Sequence, residues 1–547
     1  MSLRRASLFL AVVALSGLPL FGCRALADYP FADLSSAGDG RPVDDAVSHD
    51  GGPTNDGNLD ATGDAQDSLD LVELGLITDG GEAIPFDTIA HDAIAPDTAP
   101  PPSLPWLKTF GSTGSDQGYG VATDSFGNVY VTGGFSGAVS FGGTSVISAG
   151  SSDLFVTSFT SAGTPRWTQG FGSAWWERGH GVAVDGAGTV TMTGFFGGTI
   201  TTLGSPALQA AGGQDILVAS FTSSGTPHWH HAFGGNDAEG DTLRDWGNAV
   251  AVDAKGNVYV TGSFHGNNAT LAPGLTVSSK GSTDIVVASF TSTGAPRWQK
   301  ALGGTGEDVG LGIAVDAKSN VYVTGTFQNK ADLGGGPATA TAPNPKDGFI
   351  TSFTTTGTYR WQRVLKGTES SVGQAIAADG AGDVYVTGSF GGTADFGTPA
   401  VLLPSNGSQD VFVAKFGGVS GNLIWQKALG GSGYDVGRGI TVGPTGKIYV
   451  TGIFSGTADL SGDKIAGATK MAQDKDVFVS CFSDKGAFRW QETLNGPGED
   501  WGEAVAVSPG GDVYVAGRFW DTFSYKGTTY RASSKDKADI FLWKIVP

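Results

Sequence analysis

Short apolar segments separated by polar, glycine-rich turns run through the chain from residue 105 to its end. Residues 258–262 read Val-Tyr-Val-Thr-Gly, and residues 284–290 read Asp-Ile-Val-Val-Ala-Ser-Phe. Runs of β-branched and aromatic residues bounded by Gly, Asn, Asp and Ser are typical of β-strands. Alternation of apolar and polar residues within them is weak, which indicates strands covered on both faces. The pattern therefore predicts an all-β protein.

The strand pattern repeats seven times at nearly constant spacing. A Thr-Gly or Ala-Gly step recurs 61 to 68 residues apart, at Gly133, Gly194, Gly262, Gly325, Gly388, Gly452 and Gly517. A tryptophan recurs in step with it, at Trp106, Trp167, Trp229, Trp298, Trp361, Trp425 and Trp490. Each copy reads as four strands, A to D, which in the third copy cover residues 247–252, 258–262, 284–290 and 296–302. Seven copies of four antiparallel strands predict a seven-bladed β-propeller over residues 105–547.

The two ends of the repeat region complement each other. The chain ends after a segment that matches strand C, residues 539–545, while residues 105–110 match strand D and precede the first strand A. We therefore expect the last blade to take its outer strand from the N-terminal side. Such closure leaves no unmatched blade edge.

The most regular part of the repeat resembles a known family. Residues 253–262 read DAKGNVYVTG, which is similar to the D-x-x-G-N-V-Y-V-T-G signature of the bacterial SBBP-type β-propeller repeat. The resemblance extends over essentially all of residues 105–547 and implies the propeller fold. It implies no activity, because a fold alone does not determine function. Other copies depart from the signature at Thr189, Met192, Ser319, Gly443 and Ser508.

The N-terminus has the organisation of an export signal. Arg4 and Arg5 precede an apolar run over residues 6–21, which is short for a bilayer span and typical of a signal peptide. The run ends in Leu-Phe-Gly-Cys, which resembles the bacterial lipobox. The resemblance implies a signal peptide over residues 1–22, cleavage before Cys23, and a lipoprotein acylated at Cys23 with groups such as palmitate. Arg24 after the cysteine implies sorting to the outer membrane of the cell envelope. The alternative is an ordinary secretory signal cut at Ala25 or Ala27.

Residues 23–104 form an acidic linker. Residues 24–104 contain seventeen Asp and Glu against two Arg, so they carry −15 of the formal net charge of −20. Such a segment has too little apolar surface to fold on its own, and we expect a disordered tether. The strong negative charge argues against nucleic acid as a partner. The same charge would repel anionic lipid headgroups, so membrane attachment should be covalent, through lipid. We expect a monomer.

Acidic side chains recur in the links from strand D to strand A. They lie eight residues before the position that Asp253 occupies in the turn between strands A and B. The six are Asp116, Glu177, Asp245, Asp308, Asp435 and Asp500, and the fifth copy has Ser371 instead. One interpretation is a ring of carboxylates that holds Ca²⁺ or a cationic ligand. The other is that each carboxylate caps its own loop by accepting backbone N–H bonds. Repetition favours the second, because every blade needs the same turn. We expect no other cofactor.

Several tryptophans outside the repeat marker map to the same face of the predicted propeller. Those that we assign to a candidate ligand face are Trp175, Trp176, Trp246, Trp501 and Trp520. Exposed aromatic rings suit a sugar or a protein hot spot. The alternative is that they only cover the backbone of that face. His228, His230 and His231 flank Trp229 on a predicted outer strand, where three exposed side chains are favoured over a metal site.

No motif of an enzyme stands out. Glycosidase chemistry needs two unlike carboxylates, and the chain offers repeated equivalents; no nucleophile motif or phosphate-binding loop is present in a suitable context. We therefore predict a non-catalytic binding module on the envelope, with a glycan or a protein as ligand. The alternatives are a polysaccharide hydrolase or lyase of the envelope and an architectural surface protein.

Overall fold

The described residues form β-strands joined by turns. A computed structural model describes residues 104–143, 145–235, 245–340, 346–397, 402–465 and 469–547. The signal peptide, Cys23 and the acidic linker up to residue 103 lie outside the described residues. Across those ranges no helix is present, and so none that is long and apolar enough to cross a membrane.

The strands follow the repeat. The first strand is β1 (Trp106–Phe110). The first repeat contains β2 (Gln117–Thr123), β3 (Val129–Phe135), β4 (Ala138–Ser140), β5 (Ser145–Ile147), β6 (Asp153–Phe159) and β7 (Pro165–Phe171). The second contains β8 (Arg178–Val184), β9 (Val190–Ile200), β10 (Leu208–Phe221) and β11 (Pro227–Phe233). The third contains β12 (Trp246–Val252), β13 (Val258–Phe264), β14 (Ala269–Ala272), β15 (Leu275–Val277), β16 (Asp284–Phe290) and β17 (Pro296–Gly304).

The remaining repeats continue in the same order. The fourth contains β18 (Val309–Val315), β19 (Val321–Gln328), β20 (Lys330–Asp332), β21 (Pro337–Thr339), β22 (Lys346–Phe353) and β23 (Tyr359–Gly367). The fifth contains β24 (Ser371–Ala378), β25 (Val384–Phe390), β26 (Thr393–Asp395), β27 (Leu402–Pro404), β28 (Asp410–Phe416) and β29 (Leu423–Gly431). The sixth contains β30 (Val436–Val442), β31 (Ile448–Asp459), β32 (Thr469–Phe482) and β33 (Phe488–Leu494). The last contains β34 (Asp500–Val507), β35 (Val513–Phe519), β36 (Thr522–Tyr525), β37 (Thr528–Arg531) and β38 (Asp539–Ile545).

Each repeat supplies a four-stranded antiparallel blade in the predicted order A-B-C-D, as in β12-β13-β16-β17. Strands B and C are buried where they pair within the blade, as β13 and β16 are along their whole length, whereas the outer strand D is half-buried. Cys481 lies within buried strand β32 and is itself buried, as a small apolar residue would be. Burial on both faces explains why alternation is weak, since the faces of a blade pack on its neighbours. The structure thus confirms an all-β propeller.

The inner strands close into a ring. Each strand A packs beside the strand A of the next repeat, through β2, β8, β12, β18, β24, β30 and β34, and β34 packs beside β2. The outer strand of the last blade is β1, which pairs antiparallel with β38 from Trp106 opposite Lys544 to Phe110 opposite Ile540. The predicted closure by the N-terminal strand is confirmed.

The turn between strands A and B explains the repeat signature. Asp253 Oδ1 accepts the backbone N–H of Lys255 and of Asn257, both at 2.9 Å. Its Oδ2 accepts the side-chain N–H of Asn257 at 2.9 Å and the hydroxyl of Tyr259 at 3.1 Å. Arg297 on strand D donates to the same Tyr259 oxygen at 3.1 Å. One aspartate therefore ties the turn to three strands of its blade.

The repeated tryptophan joins neighbouring blades. The indole Nε1–H of Trp298 donates to the carbonyl oxygen of Thr355, in the turn between strands C and D of the next blade, at 3.0 Å. Gly357 in that turn has a left-handed backbone conformation, with a φ of 78°, and lies against the Trp298 ring, where a Cβ would be crowded. Trp490 differs, because its Nε1–H has no hydrogen-bond partner among the described residues. The blade that follows Trp490 is the last one, in which strand C is β38 and strand D is β1. These two strands lie at opposite ends of the repeat region, so no turn joins them.

The segments between strands B and C are more ordered than expected. The sequence predicts a variable loop there, whereas the structure has short hairpins such as β20–β21, or long extensions such as β31–β32. Some of these hairpins pair with the preceding blade: Gly304 on β17 lies opposite Ala331 on β20. Backbone pairing across a blade boundary adds to the contacts that hold the ring together.

Candidate functional site

The acidic side chains in the links fasten neighbouring blades. Asp308 Oδ2 accepts the backbone N–H of Gly304, at the end of β17, at 2.7 Å, and its Oδ1 accepts that of Gln328, at the end of β19, at 2.9 Å. Asp435 accepts the N–H groups of Gly431 and Ser455 in the same manner, both at 2.9 Å. The equivalent buried side chains in the other links are Asp116, Glu177, Asp245 and Asp500. These are the bonds that the loop-capping interpretation predicts.

A second acidic side chain, at the start of the part of strand C that pairs within the blade, lies beside each link acid. A Cβ on Gly303 would overlap the carboxylates of Asp284 and Asp308 together. Asp284 Oδ1 is buried and has no hydrogen-bond partner among the described residues. The other pairs are Asp539 with Asp116, Asp153 with Glu177, Asp215 with Asp245, Asp410 with Asp435 and Asp476 with Asp500. We call these pairs the junction acids; sequence reasoning missed their second member.

Burial changes the acidity of the junction acids. It raises the pKa of Asp308 to about 6 and that of Asp435 to about 7, and the neighbouring carboxylate adds to each increase. Asp500 is affected most, since burial and then the charge of Asp476 raise its pKa to about 9. Because pKa values of about 7 and about 9 lie at or above neutral pH, some junction acids hold a proton there. In the fifth link, Ser371 replaces the acid and its hydroxyl donates to the Leu365 carbonyl oxygen.

The link acids lie in separate junctions. In the part of the chain that the structure describes, no group of three or more His, Cys, Asp or Glu side chains is arranged to hold a metal ion. This also applies to the histidines of β11, where His230 Nε2 lies 2.9 Å from the Pro206 carbonyl oxygen and His231 Nε2 lies 2.6 Å from that of Gly294. The Ca²⁺ interpretation of the acidic ring stays a prediction, and the hydrogen bonds favour the structural one.

The five candidate tryptophans differ in exposure. Trp175 is 49% exposed, and Trp176 and Trp520 are half-buried. Trp246 and Trp501 are only 9% exposed, so the expectation of exposed rings is wrong for these two. Trp246 is the first residue of β12 and Trp501 is the second residue of β34, so neither lies in a loop. Their rings are covered by Phe195 and by arginines, respectively.

One position on the inner strands differs from blade to blade. It is the residue between the two small residues of strand A, where a bulge interrupts the pairing with strand B. Around the ring the residues at this position are Tyr119, His180, Asn248, Leu311, Gln374, Arg438 and Glu503. Because the inner strands surround the axis, the position lies at the centre of the propeller. We use the name polar arc for five of these residues, Arg438, Glu503, Tyr119, His180 and Asn248, together with Arg518 of strand β35, which contacts them.

Two arginines hold one carboxylate in the polar arc. Arg438 Nη1 lies 3.3 Å from Glu503 Oε2, and Arg518 Nη2 lies 3.4 Å from Glu503 Oε1. Arg518, which extends from β35, also donates to the Tyr119 hydroxyl at 3.1 Å. The guanidinium carbons of both arginines lie 4.3 Å from the centroid of Trp501. All of these side chains are at least nine-tenths buried.

The arc continues into the first three blades. The rings of Tyr119 and His180 meet edge to face at 5.5 Å, and His180 Nδ1 donates to the Gly247 carbonyl oxygen at 3.1 Å. Burial, and then the charge of Arg178, lowers the pKa of His180 to about 3, so its imidazole is neutral. Asn248 Nδ2 donates to the Gly310 carbonyl oxygen at 2.9 Å. Each side chain thus contacts the next blade around the axis.

Sequence reasoning missed the polar arc. Attention to what recurs identified the small residues such as Gly118 and Gly120, and passed over Tyr119 between them. The signal was present, because a position that changes chemistry in every copy of a regular repeat is not required by the fold.

The comparisons with known proteins agree with the fold. A family model described as a beta-propeller repeat, SBBP, matches residues 106–133 and 239–268. An uncharacterized WD repeat-containing protein of Acanthamoeba polyphaga mimivirus is 26% identical over 255 residues, which are 40% of this chain and 18% of that protein. The regulatory protein FlaEY of Caulobacter vibrioides is 28% identical over 159 residues, 29% of this chain and 16% of that protein. The chain thus spans less than a fifth of the length of these curated relatives.

Solved structures share a low structural likeness and a low sequence identity with the chain. Quinohemoprotein alcohol dehydrogenase from Comamonas testosteroni has a TM-score of 0.36 at 10% identity, over 81% of this chain and 76% of that chain. YCF48 bound to a D1 peptide has a TM-score of 0.36 at 9% identity, over 81% and 95% of the two chains. The strand pairing of the blades and the match to the repeat model indicate a β-propeller repeat protein, a fold that suggests a binding or interaction module.

Proposed function

We propose that this chain is an exported lipoprotein whose seven-bladed propeller binds a glycan or protein ligand at the end that carries the links and the polar arc, without catalysis. The observation that carries the proposal is the break in symmetry at the axis. Junction acids, turn aspartates and outer tryptophans recur because every blade needs them. The fold itself does not require a polar residue at the position that the polar arc occupies, since Leu311 stands there in the fourth repeat.

The position of β1 leaves the link end of the propeller free of the N-terminal strand's first residue. Trp106 at the start of β1 donates Nε1–H to the Ser161 carbonyl oxygen, in a turn between strands C and D, at 3.1 Å. These turns lie at the opposite end of the blades from the links. With Cys23 lipidated and residues 23–104 as a flexible spacer, the link end would be able to reach a ligand away from the outer membrane.

Anchoring and binding are tested separately. The Cys23→Ser variant should lose both labelling by palmitate and recovery in the membrane fraction. Retention of both would contradict the lipoprotein assignment and leave the binding proposal standing.

For binding, the propeller is applied to glycan arrays and used in pull-downs from envelope extracts. Trp176→Ala should weaken binding about tenfold, because the half-buried ring packs at 4.3 Å on the Arg178 guanidinium beside the arc. Phe126→Ala is the matched control, since Phe126 is 82% exposed in a turn at the other end. Equal binding by both variants would contradict the site assignment. Release of products from an envelope polysaccharide would instead favour the hydrolase or lyase, and a deletion that alters only envelope integrity would favour an architectural protein.

A further inference from the structure

The charges of the polar arc are unequal. Among its described side chains and their neighbour Arg178, guanidinium groups outnumber carboxylates, with Glu503 as the only carboxylate. Arg178 and Arg518 lie on the Tyr119 ring, at 5.5 and 5.6 Å from its centroid to the guanidinium carbons. The protein as a whole carries a net charge of −20. A cluster of arginines at the axis of an acidic protein is therefore a local feature, not a property of the composition.

Arg438 provides the second observation. Its side chain is more than nine-tenths buried, and its Nη1 is used by Glu503. Its Nε–H has no hydrogen-bond partner among the described residues. A buried donor on a charged group without an acceptor is costly, and a ligand that supplies an oxygen removes this cost.

Aromatic surface adjoins these arginines. The Arg518 guanidinium carbon lies 5.5 Å from the centroid of Trp520, and that of Arg178 lies 4.3 Å from the centroid of Trp176; both rings are half-buried. A flat aromatic ring beside a guanidinium can contact the C–H face of a pyranose, while the guanidinium donates hydrogen bonds to the carboxylate of the sugar. An acidic peptide would use the charge but would have less use for the rings.

We infer that the polar arc binds the carboxylate of an acidic sugar, with Arg438 and Arg518 as its donors and Trp176 and Trp520 beside the sugar ring. This inference rests on the proposed binding function and specifies its ligand class. Glu503 occupies the two guanidinium groups when no ligand is bound. A ligand carboxylate either joins the cluster or displaces Glu503 from it.

The test uses an oligosaccharide that contains one glucuronate, and its methyl ester, which is neutral and has the same sugar rings. Binding is measured by calorimetry and by tryptophan fluorescence, to which Trp501 contributes. The acid should bind at least about tenfold more tightly than the ester. Arg438→Gln should abolish this preference, with circular dichroism to confirm that the variant is folded.

Glu503→Gln is the decisive variant, because it predicts a gain. Removal of the internal carboxylate should tighten binding of the acid at least about threefold and leave binding of the ester unchanged. Should acid and ester bind equally, the inference is overturned while glycan binding stands. Should neither bind, or should only a peptide ending in a carboxylate bind, the acidic-sugar assignment is overturned, and the pull-downs above then decide the proposed function independently.

Discussion

The junction acids and the polar arc are both buried sets of charged residues, and they are organised in opposite ways. A junction such as Asp410 with Asp435 is repeated with little change around the ring. The polar arc joins unlike residues, as in the contact of Arg438 with Glu503. Chemistry that every blade shares serves the ring as a structure, whereas chemistry that differs between blades is what we propose a ligand uses. The following predictions test this contrast, from the largest expected effect to the smallest.

The largest effect is expected in the polar arc. Glu503→Gln leaves the buried guanidinium groups of Arg438 and Arg518 without their shared counter-charge, and should lower the free energy of unfolding by about 4 kcal/mol. Chemical denaturation measures this value. Gln374→Glu, at the equivalent position of the fifth repeat, is the comparison. If Glu503→Gln and Gln374→Glu lowered the free energy of unfolding by the same small amount, the arc would be no more specialised than the remainder of the ring.

A junction should be sensitive to added volume. A Cβ on Gly172 would overlap the carboxylate of Asp153, whereas a Cβ on Gly186 would meet nothing within 4 Å. Gly172→Ala should therefore cost about 3 kcal/mol in the free energy of unfolding, and Gly186→Ala should leave it nearly unchanged. Equal denaturation midpoints for the two variants would show that the junctions are loosely packed.

The junction acids should make stability depend on pH. The folded state raises the pKa of Asp435 to about 7 from its ordinary 3.8, mainly through burial and then through Asp410. Its contribution is therefore full at pH values below the unfolded pKa and is lost as the pH rises through about 7. Asp435→Asn, which resembles the protonated acid, should reduce the loss of unfolding free energy between pH 5 and 8 by about 2 kcal/mol. Parallel pH profiles for the variant and the natural protein would contradict the shift.

The smallest effect concerns the outer tryptophans. Trp298→Phe removes the hydrogen bond to the Thr355 carbonyl oxygen, and should cost about 1 kcal/mol more than Trp490→Phe, whose indole N–H has no acceptor among the described residues. The difference between the two melting profiles is the relevant quantity, because loss of ring volume is common to both. Identical profiles would mean that Nε1–H contributes nothing at either blade boundary.

The repeat made much of the fold predictable from the sequence. Strand positions, the order A to D and the pairing of β1 with β38 follow from regular spacing and from a missing strand at one end. The short hairpins such as β20–β21 could not be predicted, because a three-residue strand with one central alanine is too short to show an apolar pattern. Their order comes from pairing with a neighbouring blade, which is a tertiary effect.

The candidate site was less predictable, for three reasons. Trp246 and Trp501 resembled exposed loop residues because sequence spacing does not show that Phe195 or Arg438 will cover their rings. The second acid of each junction, such as Asp284, looked like the polar edge of a strand, and its burial becomes apparent only when the next blade is in place. The polar arc required attention to differences between copies, which a search for recurrence sets aside.

The strand β1 also has a mechanical consequence. Its five paired residues belong to the last blade but lie far in sequence from the other strands of that blade. They connect directly to the chain before Trp106. Any tension that reaches the propeller through that chain is therefore applied first to β1, at its hydrogen bonds to β38 and at the bond from Trp106 to Ser161 of the first blade. The same five residues that close the ring would bear such a load, so resistance to pulling from that side depends on the closure of the ring.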